Sequence, residues 1–264
     1  MKRFPLVVGL ALLLLAAACA VLPVRRQLPP AEETRARAAF RQLAAEQKVC
    51  GGWGDAEALL SLDSVWKSGS VSGYLQLLAP GYLRFVGLNP LGQPLLILTT
   101  DGQNFSSILP TEMRAYEGPV SSPPFRRYVP ERLRPETSYY WLSGRLRPGV
   151  VKVLKVTGDD DGSDLWVKLA YDDGAGREMV RFDPKRLSIS RHLLLDERDR
   201  VVFEVGYGDY TAPPCGLPGL VTIRDGRGKG TLELRLRDWR TAEPLTPQDF
   251  AVDIPPGFNR IKIP

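Results

Sequence analysis

Leu83-Arg84-Phe85, the turn Asn89-Pro90-Leu91-Gly92, the apolar run Pro94-Leu95-Leu96-Ile97-Leu98 and the turn Asp101-Gly102 follow one another in residues 83–102. Leu83 and Phe85 alternate with Tyr82 and Arg84, which is the period of a half-buried strand. Proline, glycine, asparagine and aspartate at the breaks are the residues of tight turns between antiparallel strands. The same grammar recurs downstream. Val151 and Val153 precede the turn Asp159-Asp160-Asp161-Gly162, and Leu165, Val167 and Leu169 follow it. Val201, Phe203 and Val205 flank Glu204, and Leu232, Leu234 and Leu236 alternate with Glu233, Arg235 and Arg237. Short strands at regular spacing predict a mostly β chain built on an antiparallel sheet or barrel.

Two helices interrupt this pattern. Pro30 to Lys48 opens with proline, carries Glu32 and Glu33 in its first turn and Lys48 near its end, and places Ala36, Phe40, Leu43 and Ala44 on one stripe. Gly51 and Gly52 stop it. Pro135 to Leu142 is a shorter helix ending at Gly144, and its Tyr139-Tyr140-Trp141 cluster needs an apolar surface to cover. No repeat and no linker divides the rest, so residues 31–264 read as a single domain.

Composition narrows the chemistry. The chain has 264 residues, 44% hydrophobic and 25% charged, which excludes a disordered, collagen-like or polytopic membrane protein. Lysine and arginine exceed aspartate and glutamate by +5, and by +3 without Lys2 and Arg3 of the removable leader, too little to argue for nucleic acid. One histidine and three cysteines leave few routes to metal or acid–base catalysis. His192, in Ser190-Arg191-His192-Leu193-Leu194, lacks a Gly-x-Ser-x-Gly elbow. Asp159 to Asp164 lacks EF-hand spacing and reads as a solvated hairpin tip. Gly226-Arg227-Gly228-Lys229-Gly230 lies between strands and reads as a turn. The chain is expected to bind something and not to be an enzyme, with no cofactor and no metal.

The amino terminus sets the compartment. Met1-Lys2-Arg3 is basic, Phe4 to Ala18 is apolar, and Ala16-Ala17-Ala18-Cys19 ends it in small residues and a cysteine, the three regions of a secretory signal. That last run resembles the lipobox of bacterial lipoproteins. The resemblance implies a signal peptide over 1–18, a lipidated Cys19 and a Pro-rich tether over 19–30. Ala20 after the cysteine implies sorting to the outer membrane, on its periplasmic face. In an oxidising compartment a Cys50–Cys215 disulfide is chemically allowed, and two free buried thiols are the alternative.

The apolar runs Leu95-Leu96-Ile97-Leu98 and Tyr74-Leu75-Gln76-Leu77-Leu78 admit two accounts. Strands covered on both faces show this pattern, and so does an incompletely closed sheet around an apolar cavity. Residues 83–102 resemble the early strands of LolB, the outer-membrane lipoprotein receptor family. Trp141 to Gly149 resembles its central helix end, and Leu217 to Gly226 with Leu232 to Trp239 its last hairpin. Residues 240–264 resemble the final strand of LolA, the periplasmic carrier that shares the fold.

The resemblance implies a half-open antiparallel β-barrel with helices over its mouth and an interior that accepts the acyl chains of lipoproteins. Leu75, Leu77, Leu83, Phe85, Leu95, Ile97 and Trp141 are the cavity residues expected on this reading. Leu91, at the tip of its turn, matches the family's exposed leucine, which inserts cargo into the membrane. The expected partners are lipoprotein acyl chains, a LolA-type carrier and the membrane, with the protein itself a monomer. The alternatives are a structural or assembly lipoprotein that binds another protein, a carrier of a different amphiphile, and a hydrolase built around His192.

Overall fold

The computed structural model describes residues 25–64, 68–126, 133–149, 151–160, 162–172, 176–212, 215–226 and 230–264. Fifteen strands among them form one open sheet. In chain order, β2 (Trp53–Ser64), β3 (Ser68–Leu78), β4 (Tyr82–Leu88), β5 (Pro94–Thr100), β6 (Asn104–Leu109) and β7 (Arg114–Pro119) make a first antiparallel meander. A second comprises β8 (Val151–Asp159), β9 (Leu165–Tyr171), β10 (Arg177–Asp183), β11 (Ser188–Leu195), β12 (Val201–Gly208), β13 (Leu220–Asp225) and β14 (Gly230–Arg240). The last strand of the second pairs antiparallel with the first strand of the first, Leu234 opposite Leu60. The short β1 (Arg25–Arg26) pairs with β8, and β15 (Asn259–Lys262) runs parallel to β7. These two strands are the sheet's edges, and they do not meet. The result is the half-open, largely antiparallel barrel expected of the fold.

Between the meanders lie the four-residue α2 (Pro123–Arg126), a 3₁₀ turn at Pro135–Thr137, and α3 (Ser138–Ser143). Gly144 ends α3 at φ +66°, and its amide donates to the Tyr140 carbonyl. A Cβ there would also stand 2.2 Å from the Tyr210 hydroxyl, so only glycine fits.

The 20-residue α1 (Pro30–Val49) lies over one face of the sheet, called here the inner face. Its first proline and first-turn glutamates suit a helix start, and Glu33–Arg37 is an i,i+4 ion pair. Ala36, Phe40 and Leu43 are its buried stripe. Phe40 meets Phe182 of β10 edge-on at 5.8 Å. Under α1 and α3, Ala56, Leu75, Phe85, Val167, Phe203 and Val221 join the principal core.

The opposite face has two separate cores. Ile108, Ala115 and Ile254 pack with Ile97, Val252 and Phe258, where the carboxyl-terminal segment crosses the back of β5–β7. Trp166, Met179, Leu193 and Leu195 form the other, behind β9–β11.

Candidate functional site

The inner face carries most of the residues that sequence reasoning singled out. Leu75, Leu77, Phe85 and Trp141 are buried in the principal core, and Leu83 is half-buried against it. Leu95 and Ile97 are not there. Leu98 is the residue opposite Phe85, and Ile97 is opposite Val86. Leu96 and Leu98 therefore share the inner face with Phe85, while Leu95 and Ile97 face away. Ile97 packs with Ile108 and Ile254, and Leu95 is 37% exposed. The reason is parity. A run of four apolar residues has no alternation to read, and a one-residue slip exchanges the faces. The register also shifts between Gly87 and Leu88.

Side chains of α1 and α3 pack on the inner face, and the two cavities described below touch none of the seven expected lining residues. Helix α1 is held at both ends. Arg25 and Arg26, part of the expected tether, are opposite Asp159 and Gly158 in the β1–β8 pairing. At the other end, Cys50 caps α1 and is joined by a disulfide to Cys215 in the loop before β13. Between them, the Leu146 amide donates to Gln47 Oε1 at 2.9 Å.

A polar group lies inside the apolar core. Glu178 and His192 are each 2% exposed, on adjacent strands β10 and β11. His192 Nε2 is 2.9 Å from Glu178 Oε2, and Arg147 Nε donates to Glu178 Oε1 at 3.2 Å. Trp141 stacks on the imidazole at 3.9 Å between ring centroids, and the Arg147 guanidinium lies 3.4 Å from the Tyr171 ring centroid. His192 Nδ1 has no hydrogen-bond partner among the described residues. The Tyr207 hydroxyl donates to the Trp141 carbonyl at 2.7 Å, and burial pushes its phenol well above the ordinary range. Sequence reasoning found His192 and Trp141 here but missed Glu178 and Arg147. A glutamate between Arg177 and Met179 carries no local sign that it points inward.

Leu91 is 84% exposed at the β4–β5 turn. Asn89 Oδ1 accepts from the amides of Leu91 and Gln93, both at 2.9 Å, and Gly92 sits at φ +80°. This Asx-type turn holds the leucine out. Cys19 lies outside the described residues.

Two cavities flank α1. One, of about 300 Å³, is lined by Arg26, Leu28, Arg35, Ala36, Ala39 and Leu165. The other, of about 620 Å³, lies at the disulfide end, against Gln47, Arg145, Arg186, Tyr207, Tyr210 and Cys215. Among the described residues no group of three or more His, Cys, Asp or Glu is placed to hold a metal, and no helix is long and apolar enough to cross a membrane.

Three solved structures share this architecture. A domain from Vibrio parahaemolyticus, described as a candidate for outer-membrane lipoprotein sorting, superposes with a TM-score of 0.57 at 14% identity, over 81% of this chain and 94% of its own. A LolA superfamily protein from Nitrosomonas europaea gives 0.53 at 9% identity, over 81% and 97%. The fold is LolA-like. A DUF1329 family protein from Desulfovibrio piger gives 0.59 at 13% identity, over 81% and 96%. No protein-family model matches the chain, and none of the curated proteins does. Within residues 240–264, expected to resemble the final strand of LolA, Asn259–Lys262 forms an edge strand beside β7.

Proposed function

We propose that this protein is a lipid-anchored, extracytoplasmic binder of lipoprotein acyl chains, and that it helps to place its cargo in the outer membrane. The observation that carries the reading is the construction of the inner face. An apolar sheet surface is closed by a separate amphipathic helix, α1, whose Ala36, Phe40 and Leu43 stand where hydrocarbon would lie. Such a surface can exchange one apolar partner for another at little cost, because each buried methylene contributes about 0.8 kcal/mol whichever chain supplies it. Cargo would displace α1 and occupy the face formed by Leu75, Leu77, Leu83, Phe85 and Trp141, with Leu96 and Leu98 in place of Leu95 and Ile97. The fold it shares with a LolA superfamily protein and with a candidate lipoprotein-sorting domain supports this reading. Anchorage through Cys19, receipt from a LolA-type carrier and membrane insertion by Leu91 complete the proposal, and no catalytic step is part of it.

The test is direct. The unlipidated domain, expressed from Arg25 onward in a periplasm, is expected to yield acyl species on organic extraction and native mass spectrometry. Leu91→Glu is expected to keep that binding while slowing transfer of a bound acylated peptide to liposomes. Equal transfer by the mutant would remove Leu91 from the mechanism.

A second reading is a structural or assembly lipoprotein that binds another protein. The packing of Phe40 and Leu43 into the principal core favours it. It predicts a domain that never carries lipid, even when α1 is loosened by reduction of the disulfide.

A further inference from the structure

The larger cavity contains a buried cation without a carboxylate partner. Arg145 is 6% exposed, and it follows α3 into the space between the end of α1, the start of β11 and the disulfide loop. Its guanidinium is held by neutral oxygens. Nη1 donates to the Gly51 carbonyl and, at 2.8 Å, to the Tyr139 hydroxyl, and Nη2 donates to the Cys215 carbonyl at 3.3 Å. The guanidinium carbon is 5.9 Å from the Tyr139 ring centroid. No ion pair to Arg145 exists among the described residues. Removing a charge from water without a counter-ion is costly, and a ligand anion would offset that cost.

The aspartates around the cavity do not fill this role. Asp164 is paired with Arg181 Nε at 3.1 Å and accepts from Ser190 Oγ. Asp183 Oδ1 accepts from the Lys185 and Arg186 amides. Asp209 is exposed, and Arg186, whose side chain is 84% exposed, stands 3.9 Å from Asp183 Oδ2. The end of the cavity at Arg145 therefore carries a cation without an ion pair among the described residues. Tyr207 and Tyr210 join that end to the principal core, and Ser188, Ser190, Thr211 and Gln47 supply neutral hydrogen-bonding groups.

We infer that this cavity is an oxyanion site for the carboxylate or phosphodiester head of an amphiphile, centred on Arg145 with Arg186 at its rim. The inference rests on the proposed acyl-binding role of the inner face and adds to it where the head lies. The head would replace the longest of the Arg145 bonds, the one to the Cys215 carbonyl, while its tail passes Tyr207 towards Trp141.

The experiment compares palmitic acid with hexadecanol, which has the same chain and no charge, by calorimetry on the disulfide-bonded domain. The acid is expected to bind about tenfold or more tightly, the size of a charge-assisted hydrogen bond. Arg145→Gln is expected to abolish that preference, and Arg145→Lys to keep most of it. Should Arg145→Gln not fold, Arg186→Glu on the surface is expected to weaken the acid several-fold and leave the alcohol unchanged. Inorganic phosphate is expected not to displace the acid; displacement at comparable concentration would assign the site to a free oxyanion and overturn the head-group assignment. Equal binding of acid and alcohol would overturn the oxyanion site and leave the acyl-binding reading intact. Binding of neither would overturn both.

Discussion

The two meanders solve the same problem in different ways. Each must bury an inner face beneath helices and also close an opposite face. In the first, the inner face of β2–β4 is lined partly by small residues, Ala56, Ala58, Gly73 and Gly87, and its back is covered by a separate piece of chain. Ile254 and Phe258 pack there, Phe250 meets Tyr82 at 5.5 Å, and Arg84 donates to the Asp249 carbonyl at 3.1 Å. In the second, no segment crosses the back among the described residues. The strands cover themselves with Trp166 and Met179 and with ion pairs: Arg181 to Asp159 and Asp164, and Lys168 with Arg177 to Asp199. Its inner face holds the Glu178–His192–Arg147 group. One half depends on a strap and the other on charge. The second half is therefore the more sensitive to loss of a single polar atom.

The sharpest way to break this contrast is Glu178→Ala. It leaves Arg147 and His192 without their shared carboxylate in the core, and a loss of about 3–5 kcal/mol in urea unfolding is expected. A loss under about 1 kcal/mol would show that the group is solvated and that the second meander does not depend on charge. Next in size is the disulfide. Cys50 and Cys215 are 165 residues apart, and Cys50→Ser with Cys215→Ser is expected to cost about 2–4 kcal/mol, read as a lower midpoint in guanidinium.

The strap is tested by a pair of substitutions on β5. Ile97→Ala is expected to cost about 1–2 kcal/mol by opening a gap under Ile254, and Leu95→Ala less than about 0.5 kcal/mol. The reverse order would mean that the parity assigned to β5 is wrong.

The smallest effect is alkaline. Burial holds the phenols of Tyr139, Tyr207 and Tyr210 above their ordinary value of 10. A raised value in the folded state gives stability that is complete below pH 10 and lost as pH rises through the folded values, because only the unfolded chain can ionise these groups cheaply. Tyr207→Phe is expected to flatten that decline, followed by tyrosinate absorbance and circular dichroism together.

Much of this architecture is legible in the residues. Alternation in Leu83-Arg84-Phe85 and in Leu232 to Arg237, with turns at Asn89 and Asp101, specifies antiparallel strands because side chains on a strand alternate by construction. Pro30, Glu32 and the Ala36–Phe40–Leu43 stripe specify α1. The turn chemistry of Asn89 and Gly92 also places Leu91 outside. The facing of Leu95 and Ile97 was not legible, since an unbroken apolar run looks the same from either side. Nor was the inward turn of Glu178, which depends on partners 14 and 31 residues away in His192 and Arg147. Whether the inner face is vacant or filled depends on how deeply α1 settles onto the sheet, and pattern alone does not encode that depth.

Arg25 and Arg26 were expected to belong to a loose spacer, yet they add a strand to the edge of β8. If, as proposed, the chain is anchored at Cys19, the six residues before Arg25 reach at most about 20 Å. On that proposal, the β8 margin of the domain would hang close above the bilayer.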